Sequence, residues 1–161
     1  MLEDGSLVVV ILLSALSWLL SKKVAKRMKV SRALAFVSMG TLSAIFGLTL
    51  GARHFTGTGE TYFLTNEALW ANSLHIDANW ILNVALFLPA GFFLSRLFRS
   101  SLRTSIGLAL LSLAIEHLQL LTAWGSPDPA DVVANFIGAF AGSFIARLLL
   151  PKHSPRHSPR E

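Results

Sequence analysis

At 161 residues, 53% hydrophobic and only 14% charged, the chain is long enough for one domain and too apolar for an ordinary soluble one, which places it among membrane proteins. It contains no cysteine, which excludes disulfides, thiolate catalysis and thiolate metal sites. The net charge of +5 does not point to nucleic acid, because the cations fall in short runs between apolar segments, where membrane topology places them.

Taken in order, the apolar runs predict an all-α, polytopic membrane bundle over 1–151, with about five spans of the length needed to cross hydrocarbon. The spans are 5–21, 33–51, 79–95, 105–124 and 132–150. A cleaved signal peptide at the start is disfavoured. Glu3 and Asp4 precede the first run and Lys22, Lys23, Lys26, Arg27 and Lys29 follow it, the reverse of a signal peptide's charge order. The loop after the first span and the one bearing Arg96, Arg99 and Arg103 share a side with Arg147, Lys152, Arg156 and Arg160. The positive-inside rule then predicts N-terminus out and C-terminus in, and the expected location is a bacterial plasma (inner) membrane, multi-pass.

The outer segment 52–78 opens with Thr56-Gly57-Thr58-Gly59 and predicts a short surface helix capped by Thr65 or Asn66, with Trp70 and Trp80 at headgroup depth. Residues 152–161 repeat His-Ser-Pro-Arg and read as a disordered basic cytoplasmic tail.

Polar side chains inside the spans carry the functional signal, since a charged group in hydrocarbon costs roughly 2.5 to 3.5 kcal/mol on insertion scales. Helical rise places Asn83, Glu116, Gln119, Asp131 and Asn135 at similar depth in the outer half of the bilayer, on three helices that can meet around them. Ser112 extends the stripe of Glu116 and Gln119 inward. Gly138 and Gly142 form a Gly-x-x-x-Gly pair suited to close helix contact, Gly91 shares a face with Asn83 and Phe87, and Pro89 frees a backbone carbonyl and invites a kink. Asp131 is placed to cap the fifth helix, Asp128 reads as an exposed turn residue, and His117 points off the stripe.

At these residues the sequence resembles the VanZ-like membrane family. The matching pieces are Asn83-x-x-x-Phe87-x-Pro89-x-Gly91-Phe92, Glu116-x-x-Gln119 and Asp128-x-x-Asp131-x-x-x-Asn135-x-x-Gly138-x-x-x-Gly142, within about 79–150. Many members carry an Arg between the Gln and Asp elements, often as Gly-Arg, whereas this chain has Gly125 at the corresponding place, in Trp124-Gly125-Ser126-Pro127. The resemblance implies a role in susceptibility to the glycopeptide antibiotic teicoplanin and supplies no mechanism.

Glu116 has two readings. Structurally, it is a protonated or hydrogen-bonded carboxyl joining Gln119, Asn83 and Asn135 in a network that holds helices together. Functionally, it is an acid, base or headgroup ligand. His54, His75 and His117 lack zinc-ligand spacing, so neither metal nor cofactor is expected. The favoured function is a non-catalytic envelope factor binding a membrane lipid, amphiphile or lipid-linked envelope precursor in an outer-leaflet polar pocket. The alternative is a membrane enzyme acting on a lipid-linked substrate, with Glu116 as general acid/base.

Overall fold

A computed structural model of the chain describes residues 4–50, 76–122 and 128–149. Five helices account for them: α1 Asp4–Met28, α2 Arg32–Leu50, α3 Ala78–Phe98, α4 Ser101–Thr122 and α5 Pro129–Leu149. The architecture is an all-helical membrane bundle. The predicted short outer helix, Trp70, Gly125 and the basic tail lie outside the described residues.

One difference from the hydropathy reading has a physical cause. The first helix continues seven residues past the end of the apolar run at Ser21, through the lysines. There Val24, Ala25 and Met28 keep the inward stripe going, packing on or within the core side of the bundle, while Lys22, Lys23, Lys26 and Arg27 stay exposed. Among the described residues α1, α2, α3 and α5 are each long and apolar enough to cross a membrane. In α4 Thr104, Ser105, Ser112, Glu116 and Gln119 are buried inside the protein, which keeps these polar side chains from lipid. Helix α4 runs the length of α5: Ser101 at its start meets Ser143, and Glu116 near its end meets Asp128.

The turns are written locally. Lys29, in the left-handed region at φ 54, ends α1, and Val30 N–H closes back on the Ala25 carbonyl at 3.1 Å, the hydrogen bond of a Schellman ending. Ser31 then caps α2, its Oγ accepting from Leu34 N–H at 3.2 Å. The α3–α4 turn repeats the scheme, with Arg99 left-handed at φ 57 and Ser100 Oγ accepting from Arg103 N–H at 3.3 Å. Asp77 caps α3 through Trp80 N–H at 2.8 Å.

The helix pair with the most extensive contact is α3 with α5, which run parallel, and its cause is glycine. A Cβ built on Gly138 would strike the Val84 carbonyl oxygen, one on Gly142 the Leu88 carbonyl oxygen, and one on Gly91 the Ala139 carbonyl oxygen. The two backbones touch, as small residues permit in membrane bundles. Around this seam Phe87, Ala90, Leu94, Leu108, Ile115, Ala139 and Ile45 form the buried core. Helix α1 packs chiefly on α2, joined by the Ser17–Ser43 hydroxyl pair at 2.9 Å and by Arg32, which lies 4.1 Å over the Trp18 ring.

The hairpin order sorts charge by end. Every Lys and Arg among the described residues lies at the end formed by the α1–α2 turn, the α3–α4 turn and the last turn of α5. Asp77, Glu116, Asp128 and Asp131 lie towards the opposite end, where α1 also begins.

Candidate functional site

The acidic end is assembled by α5 starting beside the start of α3 and the last turns of α4. Pro129 occupies the first helical position of α5, where its missing N–H is no loss. The cap is Asp128, whose Oδ1 accepts from Ala130 N–H at 2.8 Å and whose carbonyl accepts from Asp131 N–H at 3.1 Å. The expectation that Asp131 caps the helix is therefore corrected. Asp131 sits in the first turn, 9% exposed, and its Oδ1 accepts from Asn83 Nδ2 at 2.5 Å. Displacing the cap by three residues turns the Asp131 carboxyl across the interface, towards α3.

Glu116 is buried, 3% exposed, and its Oε2 accepts from the Asp128 backbone N–H at 2.9 Å. That amide lies outside the helix and has no intrahelical carbonyl to bond, so the carboxyl supplies an acceptor the fold needs. One turn on, Gln119 Nε2 donates to the Thr49 carbonyl at 3.0 Å, tying the end of α4 to the end of α2. One turn deeper, Asn135 Nδ2 donates to Ser112 Oγ at 2.8 Å.

The structure thus gathers Asn83, Glu116, Gln119, Asp131 and Asn135 into one end of the bundle and gives them bonds to different partners on neighbouring helices. Two acceptors in this group remain unmatched. Gln119 Oε1 and Asn135 Oδ1 are both buried with no hydrogen-bond partner, an expensive state for amide oxygens. Gln119 is 1% exposed and Asn135 4%, so bulk water does not solvate them. His117 is exposed, on the other side of α4. Pro89 is half-buried within α3, and Gly91, Gly138 and Gly142 form the seam with α5. Among the described residues no three His, Cys, Asp or Glu side chains come together where they could hold a metal ion.

Three contributors were not among the residues singled out from sequence. The Thr49 carbonyl is a backbone group, invisible in residue identity. Asp77 could have been read as a cap, since it stands immediately before an apolar run. The third is a hydroxyl node at the other end. Ser143 Oγ donates to the Gly91 carbonyl at 3.1 Å and pairs with Ser105 Oγ at 3.4 Å, while Ser101 Oγ donates to the Ser143 carbonyl at 3.1 Å. Ser105 following Ser101 at helical spacing, with Ser143 next to Gly142, was the available signal.

Neither the curated proteins nor the solved structures contain a match to this chain. The VanZ/LLP1 family matches residues 6–150, which takes in the first two helices as well as the segment bearing the Asn83, Glu116 and Asp131 motifs. With nearly the whole chain covered and a bundle of apolar helices beneath the match, the protein belongs to the VanZ/LLP1 family and is a multi-pass helical membrane protein.

Proposed function

We propose that this VanZ-family protein is a non-catalytic cell-envelope factor of a bacterial plasma membrane, with its acidic end outside and its basic end inside. The outer polar site binds the headgroup of a lipid, amphiphile or lipid-linked envelope precursor, and in doing so alters susceptibility to teicoplanin. One observation carries the reading: two buried amide oxygens, on Gln119 and Asn135, have acceptor capacity that no protein donor fills. A ligand bearing hydroxyl, amide or ammonium donors supplies what they lack. The site borders exposed apolar side chains, among them Ile81, Leu82, Leu118 and Leu121, which suits a ligand with an acyl portion.

The enzyme reading needs Glu116 free to exchange a proton with substrate. Its Oε2 accepts the Asp128 amide, an arrangement that suits a fastening carboxyl better than a mobile acid or base.

The test is mass spectrometry of lipids co-purifying with wild type, Gln119→Met and Glu116→Gln at matched yields of folded protein. The expected result is a donor-bearing lipid enriched on wild type and depleted on Gln119→Met. Identical lipid profiles would overturn the binding site. Conversion of a lipid-linked substrate by wild type, abolished in Glu116→Gln, would replace the binding role with the enzyme. Expression in a susceptible bacterium is expected to raise the teicoplanin concentration needed for inhibition, and Gln119→Met to lower it again.

A further inference from the structure

At the end of the bundle opposite this site, the turns after α1 and α3 and the last turn of α5 enclose a cleft of about 900 Å³, within the range of about 300–1,000 Å³ usual for ligand sites. Lys29, Arg96, Arg99 and Arg147 line it, and no Asp or Glu is among the lining residues described. Leu34 and Leu102 add apolar wall. We propose that this cleft binds the phosphate-bearing headgroup of an anionic membrane lipid, with the first methylenes of the lipid against the leucines.

Three features converge on an anion. The first is charge: four cations from three separate segments line one concavity, and basic pockets between membrane helices are suited to anionic headgroups. The second is backbone polarity. Helices α2 and α4 both begin at the cleft, behind Ser31 and Ser100, and the positive ends of their dipoles reinforce the cations. The third is local cost. Lys29 and Arg99 are the two non-glycine residues with positive φ among the described residues, in a conformation that disfavours any side chain and is ordinarily given to glycine. Both turns retain a long cation where glycine would fold more easily, and both cations line the cleft. Strain kept at two equivalent positions is accounted for if the side chains have a ligand to hold.

The experiment follows the thermal midpoint of the purified full-length protein in neutral detergent, titrated with dioleoylphosphatidylglycerol, dioleoylphosphatidylcholine or inorganic phosphate at equal phosphate concentration. Phosphatidylglycerol is expected to raise the midpoint saturably, and the other two to have little effect. Lys29→Gly/Arg99→Gly removes two cations while relieving the backbone, so its midpoint without lipid is expected to hold or rise as its apparent affinity for phosphatidylglycerol falls by about tenfold or more. Lys22→Gln/Lys23→Gln removes two exposed cations from the same end but outside the cleft, and is expected to bind within about threefold of wild type. Should the glycine variant fail to fold, Arg96→Gln/Arg147→Gln takes its place with the same expected loss. Undiminished affinity in the cleft variants overturns the proposal, as does an equal loss in Lys22→Gln/Lys23→Gln. An equal response to phosphatidylcholine or to inorganic phosphate overturns the anionic lipid as occupant, the second result assigning the cleft to a free anion.

Discussion

Glu116 Oε2 and the backbone N–H of Asp128 lie 2.9 Å apart, so a carboxyl near the end of α4 fastens the residue that opens α5. What the Asp128 amide needs is an acceptor oxygen, which a side-chain amide carbonyl also supplies. Glu116→Gln, which keeps a carbonyl there, is expected to unfold in detergent close to wild type. Glu116→Ala leaves the amide without a partner in a buried setting and is expected to cost about 1–3 kcal/mol. Equal destabilisation by the two substitutions, measured by chemical or thermal unfolding, would show that charge matters and sink this account.

The α3–α5 seam makes an opposed pair of glycine tests. Gly142→Ala drives a methyl group into the Leu88 carbonyl oxygen, and separating the backbones is expected to cost about 1–3 kcal/mol. Gly107→Ala has nothing within 4 Å of the added carbon and is expected to be neutral or to stabilise by up to about 1 kcal/mol. Unfolding of both variants under one set of conditions checks the contrast.

Asn83 and Asp131 join helices that are remote in sequence, so their coupling can be isolated. A double-mutant cycle with Asn83→Ala and Asp131→Ala is expected to give an interaction of about 0.6–1.7 kcal/mol, the range found for hydrogen bonds between membrane helices. Additive effects would mean that the contact contributes nothing.

Because the chain has no cysteine, the proposed orientation can be read with single introduced thiols. Lys23→Cys is expected to be shielded from a membrane-impermeant maleimide in intact cells and to react after lysis, whereas Asp77→Cys reacts in intact cells. The reverse pattern would invert the orientation and place the polar site inside.

Hydropathy made the helices legible, and helical phase brought Asn83, Glu116, Gln119, Asp131 and Asn135 to one depth before any fold was known, because rise per residue is the same in every helix. What it could not supply was adjacency. That Gln119 reaches the Thr49 carbonyl, and that Asn135 meets Ser112, depends on which helix lies beside which. Residue type alone does not place the cap at the start of α5, since Asp128 and Asp131 are equally good capping types and only backbone conformation separates them. The extension of α1 to Met28 is not legible in hydropathy, because the lysines mark the end of the apolar stretch and not the end of the helix. The basic cleft was hidden for a related reason: its cations come from three segments, and topology alone makes them neighbours.

The parallel seam between α3 and α5 also has a consequence in time. Helix α3 is made and inserted well before α5, so Asn83 enters the membrane without Asp131, and Gly91 faces a flank with no backbone to meet it. Glu116 follows before the Asp128 amide is synthesised. The chain therefore spends part of its biogenesis with the Asn83–Asp131 and Glu116–Asp128 bonds unmade, and the last helix to arrive brings both partners with it. Closure of the α3–α5 seam is a late step, and a nascent chain stopped before residue 128 lacks both bonds.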